Sequence, residues 1–240
     1  MPVLRSNGID IYFEIHGAGE PLLLIGGLAN DVTDYERTGI LDLLAERFQL
    51  IVFDNRGAGR SEKPKELYSI PMMAQDAAGL LAGLGLARAH VIGVSMGGRI
   101  ALELALRHFE LVNRLVLVST GPRTSPSWRG RVLFAIGRLP IFKGKHPQPY
   151  YAFKNQMAAT SSYDCTSRLG GIRALTLVIH GRKDSVAPFS IAEEMQQRIR
   201  NSRMIAVKGG HAFLFFRPRE FAAHVTAFLT TPDELLTAPE

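Results

Sequence analysis

The chain has a single cysteine, Cys165, among 240 residues. An internal disulfide is therefore excluded, and a reducing compartment is expected, with the cytoplasm as the location. Long apolar runs are also missing. The longest, such as "LVLVS" and "LTLVI", reach about a quarter of the ~20 residues a bilayer-crossing helix needs, and they read as buried strands. The N-terminal "MPVLRSNGIDIYFEIHG" alternates apolar and polar residues and has no basic stretch followed by an apolar one. It is expected to form strands of the fold rather than a leader.

Acidic residues are absent from Leu111 to Tyr163, where Arg114, Arg123, Arg129, Arg131, Arg138, Lys143, Lys145 and Lys154 all fall. That one stretch accounts for more than the whole net charge of +6. Trp128, Phe134, Phe142, Tyr150, Tyr151 and Phe153 interleave with it. Such a mixture suits a nucleic acid, a membrane surface or an anionic ligand, and equally a solvated face over an apolar underside. Because the charge is local, no nucleic-acid partner is expected.

What is present is alternation. Short apolar runs and amphipathic stretches follow one another, which predicts crossover units feeding a parallel sheet. Asn7-Gly8 predicts a tight turn between strands 2–6 and 9–16. Strands are expected at Leu22 to Ile25, "FQLIVFD", "HVIGV", "RLVLVS", "LTLVIHG" and "RMIAVKGG", and helices over 35–47, 71–84 and 218–229. About eight strands result. From Ser119 to Leu175 the alternation fails, and an insertion is expected there over the carboxyl edge of the sheet, where open parallel sheets bind ligands.

Two features carry chemistry. "LLLIGGLAND" ends a buried strand on Gly26-Gly27, which suggests that something approaches the backbone there. "GVSMGG" places Gly93-x-Ser95-x-Gly97 between a strand and a helix, the context for a serine held on a sharp turn with its hydroxyl proud of the sheet. Such a serine needs a base, and the base needs an acid to orient it. His211, in "VKGGHAF", follows the last strand on two glycines and is the chosen base. His16, His90, His108 and His180 are read as structural, and His146 and His224 lack a strand-end context. Asp184, in "IHGRKDSVAP", lies past its strand on the same edge, and the order serine, acid, histidine is the one this arrangement requires.

With these residues in view, the chain resembles the α/β-hydrolase superfamily, in particular its serine esterase, enol-lactonase and cofactor-free perhydrolase branch. The resemblance spans nearly the whole chain through "DNRGAGRS", "AGLGLARAHVIGVSMGG", "RLVLVST", "LTLVIHGRKD" and "GGHAF". It implies an α/β fold with a mostly parallel eight-stranded sheet flanked by helices, a core of residues 1–120 and 171–240, and a short helical lid over 121–170. It also implies Ser95, Asp184 and His211 as catalytic residues, with the backbone N–H groups of Leu28 and Met96 as an oxyanion hole. Where relatives read His-Gly-x this chain reads Gly26-Gly27-Leu28, a change that leaves the main-chain donor in place. Asp54, Arg56 and Gly57 are expected to shape a loop, and Asp76 to be structural. No cofactor and no metal site are expected. The implied activity is hydrolysis of a small ester or lactone. Enol-lactonase or perhydrolase chemistry are the close alternatives, a hydrolase-like ligand receptor is the alternative from another class, and membrane or interfacial contact through the basic, aromatic lid ranks last.

Overall fold

The computed structural model describes residues 2–124 and 145–237. The chain opens as a hairpin, β1 (Val3–Ser6) and β2 (Ile9–His16), turned by Asn7 and Gly8 with φ of 45° and 82°. β3 (Glu20–Ile25), α1 (Val32–Glu36), α2 (Ile40–Ala45), β4 (Phe48–Phe53), α3 (Ile70–Gly83), β5 (Ala89–Val94), α4 (Met96–Arg107) and β6 (Val112–Val118) follow in alternation. After β6 come α5 (Tyr150–Ser162), a 3-10 turn (Thr166–Gly171), β7 (Leu175–Gly181), α6 (Phe189–Arg198), β8 (Ser202–Val207), α7 (Phe213–Phe216), α8 (Pro218–Thr230) and α9 (Asp233–Thr237). The expected helix over 35–47 is two helices. Gly39 adopts φ of 73° at the N-cap of α2 and breaks the first helix, which apolar spacing alone does not register.

The eight strands form one sheet in the order β1-β2-β4-β3-β5-β6-β7-β8, parallel except where β2 pairs with β1 and β4. Strands β3 to β7 are mostly apolar and buried because helices cover both faces, with His90, Arg114, Thr176 and His180 as buried polar residues among them. Successive side chains part to opposite sides: Leu23 and Ile25 pack with α3, α4 and α6, while Leu22 and Leu24 pack with α1, α2 and α8. β3 lies between β4 and β5, so the chain departs from it in both directions. That reversal opens a crevice at the carboxyl ends of β3 and β5, where both chemical motifs sit.

Residues 125–144, with Arg129, Arg131, Arg138, Lys143, Trp128, Phe134 and Phe142, lie outside the described residues. Two other members of the basic stretch are engaged elsewhere. Arg114 donates to Phe228 O and Thr231 O at the end of α8 and to Asp233 at the start of α9, and Arg123 pairs with Glu194 at 2.7 Å. Among the described residues no helix is long and apolar enough to cross a membrane.

Candidate active site

β5 runs into α4 through one residue, Ser95, whose φ of 54° and ψ of −114° lie where a side-chain-bearing residue is strained by about 1–3 kcal/mol. The surroundings hold it there. Ser95 N donates to Val118 O at 2.9 Å, and Ser95 O accepts from Thr120 Oγ1 at 2.7 Å and from Gly98 N at 3.0 Å. The flanking glycines answer to close approach. A Cβ on Gly93 would stand 2.6 Å from Gly97 O, and one on Gly97 only 2.1 Å from Ile25 O. Helix α4 thus begins against the end of β3, and its free N-terminal N–H groups gather beside the serine.

The acid is built by its own turn. Asp184 N donates to Gly181 O at 3.0 Å, and Asp184 Oδ1 accepts from Val186 N at 2.8 Å and Ala187 N at 2.9 Å. Oδ2 is left for histidine. His211 Nδ1 lies 2.9 Å from it, and His211 Nε2 lies 2.9 Å from Ser95 Oγ. A carboxylate only accepts, so Nδ1 carries the proton and the Nε2 lone pair faces the serine hydroxyl. The loops bearing the two groups are laced together by Arg182 N to Val207 O and Lys183 N to Gly209 O, at 3.0 and 2.9 Å. Burial alone would raise the Asp184 pKa. Hydrogen bonds from His180 and His211, the charge of His211 and the Ala187 N–H outweigh it and hold the carboxyl well below the usual range.

The structure therefore brings together Ser95, Asp184 and His211, three residues singled out in the sequence and drawn from three strand ends. Gly27 stands alongside: a Cβ there would be 3.5 Å from Ser95 Cβ. Leu28 follows it, and Met96 opens α4. Among the described residues neither Leu28 N–H nor Met96 N–H has a protein acceptor.

Four contributors escaped sequence reasoning. Tyr35 Oη accepts from Gly27 N at 3.1 Å, Asn55 Nδ2 donates to Gly26 O at 2.9 Å, and Gln156 Oε1 accepts from Ala29 N at 3.1 Å. His180, buried in β7 as expected of a structural histidine, also reaches Asp184 Oδ2 at 3.3 Å while contacting Ala187 O at 2.8 Å. For His180 the spacing of four residues from Asp184 was the available signal. Asp54 and Arg56 do shape a loop. Asp54 accepts from Val32 N at 2.8 Å and Arg60 N at 2.6 Å, and Arg56 forms a two-pronged pair with buried Asp76 at 2.7 and 2.8 Å.

This fold and this crevice define a class. A family model described as alpha/beta hydrolase fold matches residues 20–149, a second described as TAP-like protein matches 156–234, and the chain belongs to the alpha/beta hydrolase family. Among its relatives is a protein of Azorhizobium caulinodans named "Putative carbamate hydrolase RutD", 28% identical, with 98% of this chain and 100% of that one covered. The alpha/beta hydrolase superfamily protein YisY of Bacillus subtilis is 27% identical, with 91% and 94% covered. Among solved structures, the enol-lactonase from Burkholderia xenovorans LB400 superposes with a TM-score of 0.82 at 27% identity, covering 96% of this chain and 100% of that one. An esterase from Exiguobacterium antarcticum, 24% identical, shares the fold at a TM-score of 0.83 over 95% and 99%.

Proposed function

We propose that this protein is a serine hydrolase that cleaves carboxylic esters through an acyl-enzyme. The observation that carries the reading is the unbroken hydrogen-bonded chain from Ser95 Oγ through both ring nitrogens of His211 to Asp184, each link 2.9 Å. His211 Nε2 removes the Ser95 proton as Oγ attacks the ester carbonyl. The imidazolium formed is held by Asp184 and returns its proton to the leaving alcohol, and water then repeats the sequence on the acyl-enzyme. The carbonyl oxygen, turning negative, is received by the N–H groups of Leu28 and Met96, each worth about 3 kcal/mol toward the transition state. The start of α4 contributes its positive end.

Lactones and carbamates pass through the same tetrahedral intermediate, so the named activities of the enol-lactonase and of RutD are compatible with this machinery, as is peroxide in place of water. A panel of short p-nitrophenyl esters, lactones, N-alkyl carbamates, and acetate with peroxide ranks them. On this reading the esters turn over fastest and Ser95→Ala is inert on all of them. Full activity in Ser95→Ala defeats the assignment.

A further inference from the structure

The Gly26–Ala29 loop is pegged at four of its backbone polar groups. Gly26 O accepts from Asn55 Nδ2 at 2.9 Å, Gly27 N donates to Tyr35 Oη at 3.1 Å, Gly27 O accepts from Asn30 N at 3.3 Å, and Ala29 N donates to Gln156 Oε1 at 3.1 Å. Of the N–H groups from Gly27 to Asn30, only that of Leu28 has no acceptor among the described residues. Three pegs belong to the loop itself or to segments next to the sheet. The fourth comes from α5, far along the chain.

Gln156 is fully buried, and both ends of its amide are engaged: Oε1 with Ala29 N, and Nε2 with Arg56 O at 2.8 Å. Arg56 is itself locked by Asp76 and by Glu66, the latter at 2.9 Å. The clamp therefore has a rigid far side. Its near side is needed, because Ala29 adopts φ of 62°, a left-handed conformation disfavoured for a residue with a side chain. Released from an acceptor, Ala29 relaxes toward negative φ and the preceding peptide turns with it. That peptide carries the Leu28 carbonyl, and its rotation displaces the Leu28 N–H next to it.

Resting on the serine hydrolase reading above, we propose that Gln156 is a positioning residue that holds the Leu28 N–H in its oxyanion-binding direction, a role distinct from the contacts that dock α5. Other ties of α5 do not touch this loop. Asn155 Nδ2 donates to Glu66 O at 2.7 Å and Tyr151 Oη donates to Lys63 O at 2.7 Å. Docking and positioning can thus be perturbed separately.

The test compares Gln156→Met, Gln156→Asn and Asn155→Ala with the wild type, each folded sample checked by its melting temperature. The readouts are kcat and KM on a short p-nitrophenyl ester and the affinity for phenylboronic acid, whose serine adduct sets an oxygen in the oxyanion position. Met removes the acceptor, and Asn withdraws it by one methylene while keeping a polar amide should Met fail to fold. Both are expected to lower kcat by about 10- to 100-fold and boronate affinity by the same factor, with KM within about threefold. Asn155→Ala loosens α5 and lowers the melting temperature but holds kcat within about twofold. Wild-type kcat and boronate affinity in folded Gln156→Met or Gln156→Asn overturns the proposal. A wild-type enzyme that neither cleaves esters nor binds the boronate defeats the serine hydrolase reading itself.

Discussion

Gly97 is where the fold and the proposed chemistry meet most tightly, so Gly97→Ala offers a measured strain. The added carbon would stand 2.1 Å from Ile25 O, 2.6 Å from Gly26 O and 2.7 Å from Ile25 C. Ordinary contact with a carbonyl oxygen needs roughly 1 Å more, and backbone on both sides cannot rotate away as a side chain can. The first turn of α4 must therefore move off the end of β3 by about 1 Å. Overpacking of this kind costs about 3 kcal/mol, which for a chain of this length lowers the melting temperature by about 6–12 °C. The same displacement separates Met96 N–H from Leu28 N–H and shifts Ser95 Oγ from His211 Nε2, for which a loss of about 100-fold in kcat is expected. KM should change far less, since the pocket walls stay in place. Thermal unfolding by circular dichroism and ester hydrolysis on the same preparation give both numbers. A Gly97→Ala protein with wild-type melting temperature and wild-type kcat would refute the inference that this contact sets the turn at Ser95.

Asp184→Asn places an amide opposite His211 Nδ1, favours the wrong tautomer, and is expected to lower kcat by about a thousandfold or more while KM holds, read by steady-state kinetics. Asp184 and Glu103 both sit below the usual carboxylate range. For Glu103, burial pushes the carboxyl up, but hydrogen bonds from Arg168, Arg107 and Tyr163 outweigh it. A depressed folded pKa adds stability that is complete above the unfolded value, about 4, and is lost as pH falls below it. The melting temperature should accordingly drop on the acid side between about pH 5 and pH 2, less steeply in Glu103→Gln. At Gly26 a new Cβ would lie 3.2 Å from the Tyr35 ring and 3.3 Å from its hydroxyl, so Gly26→His must push back the group that holds Gly27 N–H. A fall in kcat of about tenfold is expected, and unchanged turnover with higher stability would mean the glycine is only tolerated.

Alternation of apolar runs with amphipathic stretches was enough to read the sheet, because burial on both faces leaves strands β3 to β7 with short runs of buried apolar residues, such as Leu22–Ile25 and Leu115–Val118. Ser95, Asp184 and His211 were legible for a related reason. Each lies within four residues of the end of its strand, Val94, Gly181 or Val207, so its place on the carboxyl edge is set by chain order rather than by distant packing. The break at Gly39 was not legible, since Ile40 and Leu44 keep helical spacing among themselves whichever way the preceding helix points. Gln156 was the least visible. Its partners Ala29 and Arg56 lie more than a hundred residues before it or close to that, and its neighbours in "AFKNQMAAT" give no sign that one amide is turned inward. Tyr35 and Asn55 share that condition: their hydroxyl and amide matter only after β3, α1 and the loop after β4 have come together. The segment expected as an insertion supplies α5 and the 3-10 turn at Thr166–Gly171, while its residues 125–144 lie outside the described ones.

The central claim is that Ser95 is the nucleophile, activated by His211. Intact-protein mass spectrometry after treatment with a p-nitrophenyl alkylphosphonate tests it most directly. One phosphonyl group added per chain, one equivalent of p-nitrophenol released, the adduct mapped to the peptide containing Ser95, and no adduct on Ser95→Ala are expected. Labelling at another residue, or an equally labelled and active Ser95→Ala protein, would contradict it.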